Sequence, residues 1–423
     1  MPKIYTHSPN SLRPKRQSAE DALETPEDEV YSYPENTNVP TRIKVEEISD
    51  SDNFIYSFGN DGRPSRVKGR DSAFVPPAPV ITEQMMVLKI DTTKSAGTDF
   101  ILPLFGTVDV EVDWGDGTVE TFTTAGERTH TYAEEGEYQV ILDGTVTEWG
   151  RNTWADSSLT TSRVNSQQKM TEVYQWGTLG LIATVGMFRE TKGYFVIAND
   201  FPSTVASMAN MFRGTGTTFN GDISQWNTSS VTNMGNMFSS STFNQDISDW
   251  DVSSVTNMRG MFSDSTFSGD ISQWDVSSVT DMREMFLGSS FNGDISQWDV
   301  SGVTNMGIMF SGSPFDGSLE GWVLNPSVSF TALGSSPFFG SAFDGVDPAA
   351  PVSPVNYART LIGWANNIFD RGGVVTNKVI DNNGVSYSTQ TFGDMTGEFN
   401  NATDARNYLV NTLGWTITDA GSA

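Results

Sequence analysis

From residue 219 to 314, large apolar side chains recur every 24 positions. Phe219, Phe243, Phe267 and Phe291 open each period; Ile223, Ile247, Ile271 and Ile295 follow, then Trp226, Trp250, Trp274 and Trp298. Each block continues with a valine (Val231 in the first), two methionines (Met234, Met237) and a phenylalanine (Phe238), separated by Gly, Ser, Asn and Asp. Such self-similarity predicts stacked coils of a solenoid, because no single coil can bury that many large side chains alone. The short Ile-x-x-Trp stretch, flanked by Gly-Asp and rich in strand formers, predicts one short parallel strand per coil. Val-x-x-Met-x-x-Met-Phe is spaced at three and four and predicts a helical or 3₁₀ turn on the opposite wall. The small polar residues fall at corners, where tight turns need them.

The pattern continues, degraded, on both sides. Upstream, Val205, Met208, Met211 and Phe212 repeat the second half of the block, and residues 175–188 read as a divergent first coil ending at Phe188. Downstream, Phe315 and Trp322 keep the period while Val328 and Phe330 replace the Met-Phe wall. Residues 144–172, with Trp149, Trp154 and a Ser/Thr-rich stretch, are expected to cover the first open edge.

Between Met85 and about Asp143 the period changes to two. Val108, Val110 and Val112 alternate with Asp109, Glu111 and Asp113, then the turn Trp114-Gly115-Asp116-Gly117-Thr118 leads back through Val119 to Phe122, which predicts a β-hairpin. Strands are also expected at 86–90, 100–104 and 136–140. After a Pro/Ala/Gly joint at 345–354, residues 357–365 and 403–411 read as helices, the second entered through a Thr or Asp cap and closed near Gly414. Trp415 to Thr418 reads as a last strand. Residues 1–84 carry scattered prolines, short β-prone pieces at 41–45 and 53–58, and a stiff Pro-Pro-Ala-Pro run at 76–79, so they predict an extended arm and linker.

The repeated block Phe-Asn-x-Asp-Ile-Ser-x-Trp-Asp-Val-Ser-x-Val-Thr-Asn-Met-x-x-Met-Phe resembles that of the BspA-like leucine-rich-repeat surface proteins. The segments Leu361-Ile362-Gly363-Trp364-Ala365 and Ala405 to Asp419 resemble the close of such chains. Asp113 to Thr118, His130-Thr131-Tyr132 and Gly136 to Val140 together resemble the polycystic-kidney-disease (PKD) type of immunoglobulin-like sandwich. These resemblances imply a multidomain, mainly β protein: an arm over 1–84, a PKD-like Ig-fold domain over 85–148, a BspA-like solenoid with its cover over 149–344, and a small α/β cap over 345–423. They imply adhesion or interaction, a spacer or contact role for the Ig-like part, and no catalysis.

Composition narrows the chemistry. The absence of cysteine removes disulfides, thiolate metal sites and Cys nucleophiles. A formal charge of −27 argues against a nucleic-acid partner. Ten of the 25 Lys and Arg lie in residues 1–84, whereas Arg213, Arg259 and Arg283 stand alone between 200 and 350, so the repeat presents an acidic surface. Solubility accounts for it most simply; an Asp ladder for divalent cations or a basic partner is the sharper reading. No run of about 18 apolar residues occurs, so no membrane span is expected. The first sixteen residues carry charge without an apolar stretch behind them, so no secretory signal is expected.

Asp113, Asp116 and Glu120 on a turn suit calcium, which takes oxygen ligands; carboxylates bonding their own backbone explain them more simply. His130, the one histidine beyond the arm, lacks a neighbouring nucleophile and is read as structural. No nucleophile with a base, phosphate loop or metal-spaced His cluster stands out, and no cofactor or metal is called for. If the solenoid binds, the ligand face is expected on the strand wall, in columns formed by Asp222, Asp246, Asp270 and Asp294, by Ser224, Ser248, Ser272 and Ser296, and by Gln225, Asp249, Gln273 and Gln297. The expected role is a non-enzymatic bacteriophage virion surface protein, a decoration or fibre. Residues 1–84 would dock on capsid or tail proteins, while the solenoid would meet a host surface protein or polysaccharide; a homo-oligomer is compatible with this. The alternative is an exported bacterial surface adhesin.

Overall fold

A computed structural model of the chain describes residues 81–150, 161–191, 196–215, 219, 221–330, 354–373, 375–381, 386–418 and 421–422, together with short strands before residue 80. Trp154, the Pro-Pro-Ala-Pro run and most of the joint at 345–354 lie outside the described residues. The chain divides into two units, 1–79 and 80–423. In the first, Lys3–Thr6, Lys15–Gln17, Tyr31–Tyr33 and Thr41–Arg42 form a four-stranded antiparallel sheet, and Ile55–Phe58 pairs with Pro64–Val67. The second is mainly β, with a large mixed sheet and few helices.

That sheet begins with β1 (Met86–Asp91), β2 (Asp99–Asp113), β3 (Val119–Phe122), β4 (Gly126–Thr131) and β5 (Glu137–Trp149). After helix α1 (Thr161–Lys169) come β6 (Met170–Gln175), β7 (Ala183–Thr184) and β8 (Val196–Ile197). The order is β4-β2-β5-β1-β6-β8, with β3 on β2 and β7 on β5. β2 is long because its first half pairs with β4 and its second half forms the hairpin with β3, Val110 opposite Phe122 and Asp113 opposite Val119. The alternation decides the faces: Val108, Val110 and Val112 are buried.

The boundary expected at 148 is crossed by β5. Glu148 and Trp149 pair in parallel with Ala183 and Thr184, and the line of bridges continues Ala183–Ser207–Asn233–Asn257–Asp281–Asn305–Ser329. Val146 N donates to Leu179 O (3.0 Å) and Ile182 N to Thr147 O (2.8 Å). The edge of the first coil is thereby satisfied by the last long strand of the preceding sheet, and one apolar core runs from Met86 to Ile417.

Within each block the bridge sits at the residue between Thr and Met, and this corrects the strand placement. Ile-x-x-Trp is a turn, closed by Trp226 N to Ile223 O and its copies at 3.2 Å. The aspartate before each isoleucine captures the amide two residues on, bending the chain; the isoleucine serves the core and not the ladder. Val-x-x-Met-x-x-Met-Phe is not a helix either. The amides of Met234, Asn236, Phe238 and Ser240 donate to Asn257, Arg259, Met261 and Ser263 of the next block at 2.9, 2.7, 2.9 and 2.7 Å. The amides between them close turns within their own block, such as Met237 N to Met234 O (3.1 Å). Two residues of each segment, four apart, are left-handed: φ is 54° and 56° at Asn236 and Ser240, 61° and 54° at Gly260 and Asp264, and the first of the pair recurs at Glu284 (63°) and Ile308 (49°). A helix spends its amides internally; this backbone gives every second one to its neighbour.

The interior is filled by rings. Phe212, Phe238, Phe262, Phe286 and Phe310 form a near-parallel stack with centroids 5.5 to 5.9 Å apart. Each indole also reaches back one block: Trp250, Trp274, Trp298 and Trp322 Nε1 donate to Ile223, Ile247, Ile271 and Ile295 O at 3.0 to 3.1 Å. Helix α2 (Pro354–Asp370) ends the series by imitation. Its Trp364 Nε1 donates to Leu319 O (3.0 Å), the carbonyl that a further block would have engaged. Gly363 lies so close to Glu320 that a Cβ would stand 2.2 Å from its carbonyl oxygen. Helix α3 (Ala402–Asn407) is capped by Asn401, whose Oδ1 accepts from Asp404 N (2.9 Å), in place of the expected Thr or Asp. The strand Thr416–Thr418 pairs in parallel with Val379–Asp381.

Candidate functional site

The twelve expected contact residues do form columns, on the turn side of the stack. Asp222, Asp246, Asp270 and Asp294 are exposed, and each Oδ1 accepts from the amide of the serine two residues later at 2.9 to 3.0 Å. Ser224, Ser272 and Ser296 Oγ accept from the neighbouring Gln225, Gln273 and Gln297 Nε2 at 3.2 to 3.3 Å. Ser248 Oγ donates to Asp246 Oδ1 (2.7 Å) beside exposed Asp249. A second series, Asn227, Asp251, Asp275 and Asp299, repeats the device with the amides of Ser229, Ser253, Ser277 and Ser301 at 3.0 to 3.2 Å. Much of the acidity is therefore corner-making. The Ser224 hydroxyl and amide hold the Asp222 carboxyl below its usual range; the amides and then the hydroxyls of Ser248 and Ser272 do so for Asp246 and Asp270, and Ser277 for Asp275.

The parallel-bridged wall is a different face. Thr232, Thr256, Thr280 and Thr304 are exposed along it, and each hydroxyl donates to the carbonyl one block earlier at 3.1 to 3.2 Å. Sequence reasoning missed this column because the bridge was assigned to Ile-x-x-Trp.

At the last block the turn side opens into a groove of about 550 Å³, lined among others by Asp294, Ser296 and Gln297. The other lining residues were not foreseen, among them Asp316, Glu320, Gly321 and Asn356. Asn356, at the start of α2, donates to the Asp316 carbonyl and to Asp316 Oδ1 (3.3 Å). Arg359 stands behind, paired with Glu320 (2.7 Å) and Asp394 (2.8 Å). Asp394 and then Glu320 raise the guanidinium's pKa further. The departure of residues 316–321 from the block was the signal that could have found them.

The hairpin's polar residues are spent on one another. Trp114 is buried, its Nε1 donates to Glu120 Oε2 (2.7 Å), and its ring stacks on His130 at 4.6 Å. His130 Nε2 lies 2.8 Å from Asp116 Oδ2, and Tyr132 donates to Trp114 O (2.9 Å). Asp113 and Asp116 Oδ1 accept from the amides of Gly115 and Thr118, both at 2.9 Å. Burial works against the Asp116 carboxylate, but the bonds from His130 and Thr118 outweigh it and its pKa is lowered. Among the described residues no group of three or more His, Cys, Asp or Glu is arranged to hold a metal, and no helix is long and apolar enough to cross a membrane.

With this geometry in hand, the comparisons concern the repeat. The family described as "Mycoplasma protein of unknown function, DUF285" matches residues 158–263, 182–288 and 264–333, less than half of the chain. The first two placements begin one 24-residue block apart, so the family unit slides along the repeat. The match and the mainly β architecture fit a BspA-like repeat protein. No curated protein and no solved structure matches the chain.

Proposed function

We propose that the chain is a non-enzymatic virion surface protein of a bacteriophage: an N-terminal anchoring unit, an Ig-like domain, and a BspA-like leucine-rich-repeat solenoid that contacts a host surface or its glycans. One observation carries the contact role. The interior is occupied by its own rings, with the Phe, Trp, Met and Val columns 0 to 4% exposed, so a repeating polar exterior is what the rod offers a partner. The division into 1–79 and 80–423, with ten of the 25 Lys and Arg before residue 85, supports an anchor and a displayed body. The family match favours a second reading, an exported bacterial adhesin.

The test is quantitative proteomics of purified particles and of cell walls from the same culture. A stoichiometric presence on virions is the expected result; a cell-wall-associated product selects the adhesin. In the same assay, deletion of residues 2–80 should leave a folded protein that no longer joins the particle. Unchanged incorporation would remove the anchor from the reading.

A further inference from the structure

The block that breaks the pattern is the last one. Where earlier blocks carry Gln225, Asp249, Gln273 and Gln297, it carries Gly321, and where they carry serine it carries Glu320. The missing side chain and the overhang of α2 at Asn356 leave the groove of about 550 Å³, within the roughly 300–1,000 Å³ that small ligands occupy.

Its hydrogen-bonding capacity is mixed. Asn292 Oδ1 accepts from Asp316 N (2.8 Å), so its amide nitrogen is left as a donor. Gln297 Nε2 donates to Ser296 Oγ (3.2 Å), which leaves its carbonyl as an acceptor. Asp294 Oδ1 accepts from Ser296 N (2.9 Å) and leaves Oδ2. Interleaved donors and acceptors suit hydroxyl groups, which give and accept at one atom. Asp294, Asp316 and Glu320 oppose an anion, and the nearby cation, Arg359, is already committed to Glu320 and Asp394.

We propose that this groove binds one or two residues of a non-anionic sugar chain, neutral or amine-bearing. The proposal rests on the surface-contact reading above and narrows it to one place on the rod. Among the described residues no aromatic ring lines the groove, so each contact is weak, with a Kd of about 1 mM. Many copies on one particle would supply avidity.

Saturation-transfer NMR on the full chain tests it, with glucosamine oligomers, N-acetylglucosamine oligomers and, as the anionic control, sialyllactose. Transfer to either of the first two is expected. It should fall at least about tenfold, 1.4 kcal/mol, in Gly321→Gln, which restores the side chain of the other blocks with its Cβ 3.2 Å from the Ser296 carbonyl oxygen, and a thermal melt of the same variant reads any packing cost separately. Asn356→Ala removes the overhang together with its bonds to Asp316 and should also weaken transfer. Equal transfer in both variants, a preference for sialyllactose, or no transfer from any oligomer would overturn the proposal. Particle incorporation of Gly321→Gln, measured alongside, separates these outcomes from a failure of the virion reading.

Discussion

Each indole N–H in the stack does two jobs: it satisfies a buried carbonyl and it locks the block to the one before it. Trp274→Phe deletes the bond to Ile247 O and should cost about 1–3 kcal/mol, read as a lowered urea midpoint; Trp274→Ala adds a cavity and should cost about 3–5 kcal/mol. The left-handed column makes the opposite kind of prediction. Ile308 holds φ 49° with a β-branched side chain, where its equivalents are Asn236, Gly260 and Glu284. Ile308→Asn should raise the stability by about 1 kcal/mol, read as a higher urea midpoint, because Asn tolerates that conformation. Failure to rise would mean that the isoleucine's packing outweighs its strain.

At the scale of the element, the repeat is a set of turns held by neighbours. A block has almost no ladder of its own, since every second amide of the Met-Phe segment is donated to the next block. Stability should therefore be local in sequence but cooperative along the stack. Trp364→Ala removes the imitation rung of α2. Hydrogen exchange should then show lost protection at 315–330, whereas amides of 234–262 keep theirs; uniform loss would contradict nearest-neighbour coupling. The period, the rings and the corners were readable because burial and turn chemistry leave a direct mark on composition. The bridge was misplaced because Ile and Trp look like strand residues in any context, and only the aspartate two residues before each serine betrays the turn.

For the whole molecule, the aspartates bonded at their turns link stability to pH. Asp222, Asp246, Asp270 and Asp275 titrate lower in the folded chain than unfolded, so their contribution is fully present above the ordinary carboxylate pKa, about 4. It is lost as pH falls through the lower folded values. The melting temperature should decline below about pH 4, and Asp270→Asn, which keeps the side-chain acceptor, should blunt the decline. An acid limb indifferent to these residues would refute the linkage. Excising one period, residues 243–266, should give a folded protein shorter by about one rung, ~4.8 Å, in small-angle scattering; an unfolded product would show that the blocks are not equivalent.

The amino-acid sequence by itself determined the repeat length, the inward columns of Phe, Ile, Trp, Val and Met, the alternating hairpin around Trp114 and the acidic exterior, since each follows from local periodicity and side-chain chemistry. Tertiary structure alone decided which segment carries the bridges, that β5 supplies the first rung, that Trp364 supplies the last, and where the groove opens. Those features depend on partners 24 or more residues away, and a backbone amide carries no sign in the sequence of the carbonyl that will accept it.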